Sequence, residues 1–415
     1  MENMECKKPG IYILGPAWHS CGSHQLFKCQ IDSYAAMGFD TYFLAISPSP
    51  HILGKNNGFW DHYLQMTPDI RATVRGEAKL SRVFNFNPAV ILERIRGLNR
   101  TVCFFRTLPA RFAELPMSHY QFAESHEIKL IHCNHYFNLP IAIKIKQLTG
   151  ATKIVCETQD IQSRHLIETE PKHPLTGLVG NYDAYFEDEL RCCEDSDEFI
   201  HLNEEENHVF ARALPHKKHH LIYPSVARPA KNLTDKPDID FLIVSSANWP
   251  NYNSLCWFLD EVWDDEINAL ASLQIIGNVD YMFRDRKDQR YTKFGNIFHG
   301  RVEDVAVWYH RARTVVAPVI EGQGISIKTL EALSFGRPFL FSPMALRGFE
   351  DRPEIRKLTG MCRTASEFKQ ALRDRLVSAK NSIHQETDKS ALYVYNSLFT
   401  PEIYRKRIQD LVYSH

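Results

Sequence analysis

Two charged residues three positions apart, Lys328 and Glu331, stand just behind a loop that contains Gly322 and Gly324. Glycines let the backbone come close to a ligand, and the free N–H groups at a helix N-terminus attract an anion. If a helix starts here, Lys328 and Glu331 project from nearly the same face. The chemistry this suits is the holding of a phosphate group, with Lys328 supplying charge. An ionised carboxylate accepts two hydroxyl hydrogen bonds, so Glu331 suits a sugar diol.

The flanking residues predict the elements that would carry this set. Thr314 to Val319 is a β-branched apolar run that reads as a buried parallel strand. Ile325 to Phe335 carries apolar residues at helical spacing and stops at Gly336, and Pro338 to Phe341 reads as a second buried strand.

The pattern Glu321-Gly-x-Gly-Ile325, Lys328-x-x-Glu331-Ala-Leu, Gly336-x-Pro338 resembles the donor-site signature of glycosyltransferase family 4, retaining nucleotide-sugar-dependent enzymes. The commonest version of that signature has seven residues between its two glutamates, whereas nine separate Glu321 from Glu331 here. A known variant with a lysine three residues before the second glutamate is the closer likeness. The resemblance implies an α/β chain of GT-B fold: two doubly wound Rossmann-like domains facing a central cleft, with a C-terminal helix crossing back to the first. It implies a nucleotide-diphosphate-sugar as co-substrate, no metal, and a glycan or glycolipid acceptor. It sets Glu321 against the donor sugar as a catalytic residue, with Gly322, Gly324, Ile325, Lys328 and Glu331 binding the donor. Retention of configuration follows from the resemblance alone.

Composition bounds the rest. The chain has 415 residues, 44% of them apolar, enough for two domains of ordinary size. Lys plus Arg number 49 and Asp plus Glu 50, so no overall bias toward nucleic acid or membrane exists. The apolar runs are strand-length and the N-terminus lacks a signal-peptide pattern, which predicts a cytoplasmic protein. Ten scattered cysteines without a CxxC pair argue against a zinc ribbon and for buried free thiols. P-loop, HExxH and GxSxG motifs are absent.

Residues 1–226 read as the acceptor-side domain. Strands at 10–14 and 41–46 enclose a helix from about Gln25 to Met37, and the loop Trp18 to His24 occupies the usual ligand position of a doubly wound sheet. In the resembling family this loop often has two glycines near the donor phosphates; here Gly22 is the one retained. Two further strands, Lys129 to Asn134 and Lys153 to Glu157, end in polar residues. The resemblance implies that Asn134, His135 and Asp160 in these endings face the acceptor as active-site residues; hydrogen-bonded strand ends are the alternative. Tyr185 to Asp197 reads as an amphipathic helix and Glu198 to Leu202 as a strand leading into Glu204 to Glu206; the acidic cluster reads as a solvated helix face rather than a metal site, and His216 to His220 as a solvated loop.

Residues 227–239, polar with two prolines, read as the linker, 240–395 as the nucleotide-sugar domain and 396–415 as the crossover helix. The second domain opens with a strand from Asp240, the loop Ala247 to Asn253, and a helix over Ser254 to Val262. The family often puts Arg or Lys near this loop to hold a diphosphate. None occurs here, which leaves Asn253 as its donor-side residue and Lys328 and Arg301 as replacement cations.

Arg71 to Arg111 holds nine basic residues against two acids, interleaved with aromatics. It reads either as solvated basic helices or as a surface for peripheral contact with anionic lipid or glycan at the inner face of a membrane. Two other functions also suit the pattern: a non-hydrolysing sugar-nucleotide epimerase, and a non-catalytic sugar-nucleotide-binding module.

Overall fold

The structure, a computed structural model, describes residues 7–16, 22–46, 103, 106–107, 110–111, 115, 117–169, 182–226, 237–380 and 387–413. Of the charged residues in the basic stretch only Arg106 and Arg111 fall among these. The docking reading of 71–111, residues 227–236 of the linker and the loop before Gly22 lie outside them. No helix of the described residues is long and apolar enough to cross a membrane.

The chain forms two compact units, Met1–Tyr223 with Tyr404–His415, and Pro224–Ile403. The first is built on six parallel strands among the described residues: β1 (Lys8–Pro16), β2 (Asp40–Ile46), β3 (His126–Asn134), β4 (Lys153–Glu157), β5 (Glu198–His201) and β6 (Lys218–Leu221), in the order β2-β1-β3-β4-β5-β6. Helices cover the sheet, so the central strands are near-continuous apolar runs. Ile11 to Leu14 and Leu130 to Cys133 are all buried. The last helix, Pro401–Tyr413, begins in the second unit and from Tyr404 belongs to the first, where Tyr404, Ile408 and Leu411 are buried. Lys153 donates to the Leu411 carbonyl at 2.8 Å, a cation placed on the negative end of that helix.

The second unit has β7 (Ile239–Val244), β8 (Leu273–Ile276), β9 (Phe298–Gly300), β10 (Ala312–Ala317) and β11 (Phe339–Phe341), all parallel, in the order β11-β10-β7-β8-β9. Its core packs Trp263, Phe258, Phe368 and Phe283 beneath β7, β8 and β10. Strand order reverses between β7 and β10, and doubly wound sheets bind ligands outside the strand C-termini at such a point. The helix Ile327–Phe335 follows β10 and stops at Gly336, whose φ of 59° is left-handed. A Cβ there would lie 2.6 Å from Leu392, so glycine both ends the helix and admits the helix Lys389–Leu398 against it.

Three expectations need correction. Residues 249–257 are helical, because the Asn248 side chain accepts from Asn251 N at 2.9 Å and Pro250 suits a first turn; a π-helical turn, Phe258–Val262, completes the segment. Asn253 is thus a helical residue. The acidic residues 188–189 and 206 are buried rather than solvated. Glu189 accepts from the backbone N–H groups of Gln162 and Ser163 at 3.1 and 2.8 Å, capping the helix Gln162–Thr169. Glu206 pairs with Asn203 in a reciprocal cap of the helix Glu204–Ala213. The histidine run is β6: His219 stacks on His201 and the two rings bond at 2.9 Å.

Candidate functional site

At the C-terminal edge of the second unit's sheet, the loop after β10 and the helix Ile327–Phe335 form the core of the site. Ser326 is the N-cap but makes no capping hydrogen bond with its side chain. Its hydroxyl accepts instead from Thr329 Oγ1 at 2.9 Å, and Thr329 also reaches the Ala345 carbonyl at 2.7 Å. The first turn's N–H groups are therefore left without a side-chain cap, as an anion seat requires.

Lys328 and Glu331 sit on this helix, half-buried. Desolvation lowers the Lys328 pKa to about 7, with the Arg347 charge lowering it further and Glu331 opposing. Desolvation likewise raises Glu331 to about 7, against the pull of Lys328 and of Tyr309, whose hydroxyl lies 3.5 Å from Glu331 Oε2. Withdrawal from water outweighs their mutual attraction. Each group thus titrates near neutral pH, where a ligand that supplies charge or hydroxyls can shift it toward its ionised form.

Glu321 is exposed and accepts from Asn253 Nδ2 at 2.6 Å, which brings the helix after β7 to the loop after β10. Ile320 N donates to Ser254 Oγ at 3.2 Å, a second tie between the same segments. Gly322 has φ 139° and Gly324 φ 63°, and Ile325 is half-buried beside them. The group that comes close to Gly322 belongs to the protein: a Cβ there would lie 3.2 Å from Cζ of Arg347. Arg301 lies on the same sheet edge at the end of β9, three strand spacings from β10, roughly 14 Å away. The sequence reading missed Arg347 and Tyr309, since neither stands in the local pattern that marks the helix.

In the first unit the polar side chains at the ends of β3 and β4 are buried against one another. Asn134 is fully buried; its side-chain oxygen accepts from Gln30 and Gln159, both at 2.8 Å, and its amide donates to the Leu14 carbonyl and to Gln30, both at 2.9 Å. Glu157 accepts from Gln30 at 3.0 Å and from His132 Nε2 at 3.1 Å, with Tyr34 OH bonded to the other ring nitrogen of His132 at 2.9 Å. Asn134 thus holds the loop, and its side chain is enclosed by protein.

His135 and Gln159 have φ of 64° and 63°, a strained backbone for non-glycine residues. His135 is buried and stacked on Phe137, with ring centroids 4.8 Å apart. Burial lowers its pKa to about 3, helped by the charges of Arg106 and His165, which keeps the imidazole neutral. Asp160 is half-buried; desolvation raises its pKa, with His165 and Arg106 opposing. Gln162 donates to Asp160 and accepts from Arg106, whose guanidinium lies 4.9 Å from the Phe137 ring centre. Arg106, counted from sequence with the basic stretch, is thereby gathered with His135 and Asp160. Gly22 starts the helix Gly22–Ala36 after β1, on the same edge.

Residues 238–376 match the family described as Glycosyl transferases group 1. Among curated proteins no sequence relative was found. Sucrose-phosphate synthase from Thermosynechococcus elongatus superposes with a TM-score of 0.60 at 13% identity, covering 97% of this chain and 98% of that one. HepE of Anabaena, solved with UDP and glucose, gives 0.62 at 12%, covering 98% and 100%. The lipopolysaccharide outer core galactosyltransferase WaaB gives 0.54 at 13%, covering 98% and 99%. At these identities the likeness establishes the fold, GT-B, and the family match names the half that carries the uncapped helix, Lys328 and Glu331. The second unit therefore contains a match to the glycosyl transferases group 1 domain, within a chain whose fold is GT-B.

Proposed function

We infer that the chain moves a sugar from a nucleotide-diphosphate-sugar to a hydroxyl of a glycan or glycolipid, with the donor seated on the loop 321–325 and the helix behind it. The bond from the anomeric carbon to the β-phosphate oxygen breaks with its electron pair leaving on the diphosphate. The acceptor oxygen bonds to that carbon, and its proton passes to the departing diphosphate. Charge develops on the leaving group, so fixed donors aimed at it matter most. Backbone N–H groups from Gly322 to Ile325, the helix dipole and Lys328 are the donors. Glu331 takes the ribose hydroxyls, and Glu321, steadied by Asn253, faces the donor sugar. Arg301 and Gly22 are secondary donor contacts.

His135 and Asp160 are assigned to the acceptor, with Asn134 positioning their loops. With its pKa lowered to about 3, His135 stays neutral at physiological pH, so its assigned part is to hold the acceptor rather than to take its proton. One structural neighbour was solved with UDP and glucose and another is a lipopolysaccharide outer core galactosyltransferase, which supports a glycan acceptor here. Peripheral contact through 71–111 would bring the chain to a lipid-linked acceptor. Sedimentation with anionic and neutral vesicles tests it, since such binding must favour anionic ones and weaken with salt.

The desolvated Lys328–Glu331 pair at the uncapped helix carries the donor assignment, because it has no structural role that an apolar pair would not fill better. A thermal-shift screen over nucleotide sugars tests it. A ligand at 100 times its dissociation constant adds about 2.7 kcal/mol, and a chain stabilised by none of them would not be seating a donor. Product analysis separates transfer to an acceptor from epimerisation of the donor.

A further inference from the structure

Arg347 stands 25 residues beyond Gly322 in the chain and packs directly on it. The positions a Gly322 Cβ would meet are Arg347 Cζ at 3.2 Å and Nε and Nη2 at 3.3 Å, so a guanidinium lies against the glycine's α-carbon. Nε donates to the Gln323 carbonyl at 3.1 Å and Nη1 contacts the Met344 carbonyl at 3.4 Å. Both acceptors are backbone oxygens; among the described residues no carboxylate is in hydrogen-bond contact with this guanidinium.

The segment that carries Arg347 is tied to the helix behind the loop. It leaves β11, makes a 3-10 turn over Pro343–Leu346, and receives the Thr329 hydroxyl on the Ala345 carbonyl at 2.7 Å. Ser342 closes the other side by donating to the Val319 carbonyl. Arg347 is therefore fixed from both flanks of the loop it covers.

Two cations, Lys328 and Arg347, consequently lie close enough that the second depresses the pKa of the first, and desolvation lowers Arg347 itself to about 10 against the opposing charge of Glu350. Like charges gathered in a partly dehydrated loop are unfavourable unless an anion joins them. The helix after β7, where a basic residue would ordinarily hold the diphosphate, presents Asn248, Asn251 and Asn253 instead.

We propose that Arg347 is the second cation of the diphosphate clamp, reaching the loop from beyond β11 and replacing the basic residue absent from 247–253. Its Nε holds the Gln323 carbonyl and so sets the loop's shape, while Nη2 is left for a phosphate oxygen. A planar fork does both at once, which a lysine ammonium cannot. This rests on the donor-site assignment above. It adds that the site distinguishes diphosphates from monophosphates through a residue outside the signature.

The test is calorimetric binding of UDP, GDP and ADP and of the matching monophosphates to the full chain, to Arg347→Gln, to Arg347→Lys and to Lys328→Ala. The expected result is that Arg347→Gln loses tenfold or more in affinity for the preferred diphosphate and threefold or less for its monophosphate. Arg347→Lys should recover part of the diphosphate affinity. A structural role alone would lower both affinities together. Arg347→Gln with an unchanged diphosphate-to-monophosphate ratio, while Lys328→Ala loses it, overturns the role of Arg347 and leaves the donor site standing. An unchanged ratio in both variants, or no nucleotide binding by the full chain, removes the donor-site assignment itself. Thermal melting of Arg347→Gln close to that of the full chain establishes that the comparison is between folded proteins; if it melts early, Arg347→Lys, which keeps the charge and alters the fork, carries the same comparison.

Discussion

The C-terminal edges of the two parallel sheets, which differ in strand order, have opposite chemistry. In the first unit Asn134, Glu157, Gln30, His132 and Gln159 are buried and hydrogen-bonded to one another inside the protein. In the second, Lys328, Glu331 and Arg347 are partly withdrawn from water, with Tyr309 beside Glu331 and backbone carbonyls beside Arg347, and both Lys328 and Glu331 have pKa values moved toward 7. Satisfied polar groups specify a fold, whereas groups left wanting charge are those a ligand completes. A polar residue at a strand end is thus no guide to function until its partners are counted.

Substitution at the hub should separate the two edges most sharply. Asn134→Ala removes bonds to Leu14, Gln30 and Gln159 at once and leaves buried groups unsatisfied, so a loss on the order of 3 kcal/mol in urea unfolding is expected. Lys328→Ala, at the other edge, should leave the urea midpoint in place. Equal midpoints for the two variants would erase the distinction drawn here.

Donor affinity should show the reverse order. Lys328→Ala and Glu331→Ala are each expected to cost about 1.5–3 kcal/mol in binding of the nucleotide diphosphate, the value of a lost charged hydrogen bond. Calorimetry that found wild-type affinity in both would dissolve the site. Asp160→Asn or His135→Ala should instead lower turnover tenfold or more at unchanged donor affinity, and a loss of affinity with turnover kept would mean these residues serve the donor.

The smallest effect expected is protonic. Lys328, with its pKa lowered to about 7, is mostly neutral at pH 8 in the empty site, facing Arg347, Glu331 and the helix N-terminus. A diphosphate favours the ammonium, so binding at pH 8 should take up a proton. Affinity should fall as pH rises above 7, by at most about 1.4 kcal/mol per pH unit. Glu331 has the opposite sign: its pKa is raised to about 7, and if its carboxylate receives the ribose, binding below pH 7 releases a proton. The two titrate as a pair, giving an affinity maximum near pH 7. Calorimetry in two buffers of different ionisation enthalpy measures the proton count. Lys328→Ala should abolish the uptake at pH 8.

Much of the second unit was legible locally. The run from Thr314 to Phe341 gave strand, helix and strand because burial repeats with the period of each element and Gly336 can adopt a left-handed backbone. The boundaries that shifted did so for capping reasons: Asn248 begins its helix five residues before the expected Ser254, moving Asn253 from loop to helix.

The sequence by itself determined which residues are chemically equipped and which segments are buried, because period and composition are properties of neighbours in the chain. Only the tertiary structure decided which equipped residues have partners. Asn134 is silenced by Gln30 and Gln159, Arg106 leaves the basic stretch for Gln162, and Arg347 crosses 25 positions to lie on Gly322. Those pairings depend on how strands order themselves and where loops meet, and desolvation, which moves Lys328 and Glu331 toward 7, exists only once the chain has closed around them.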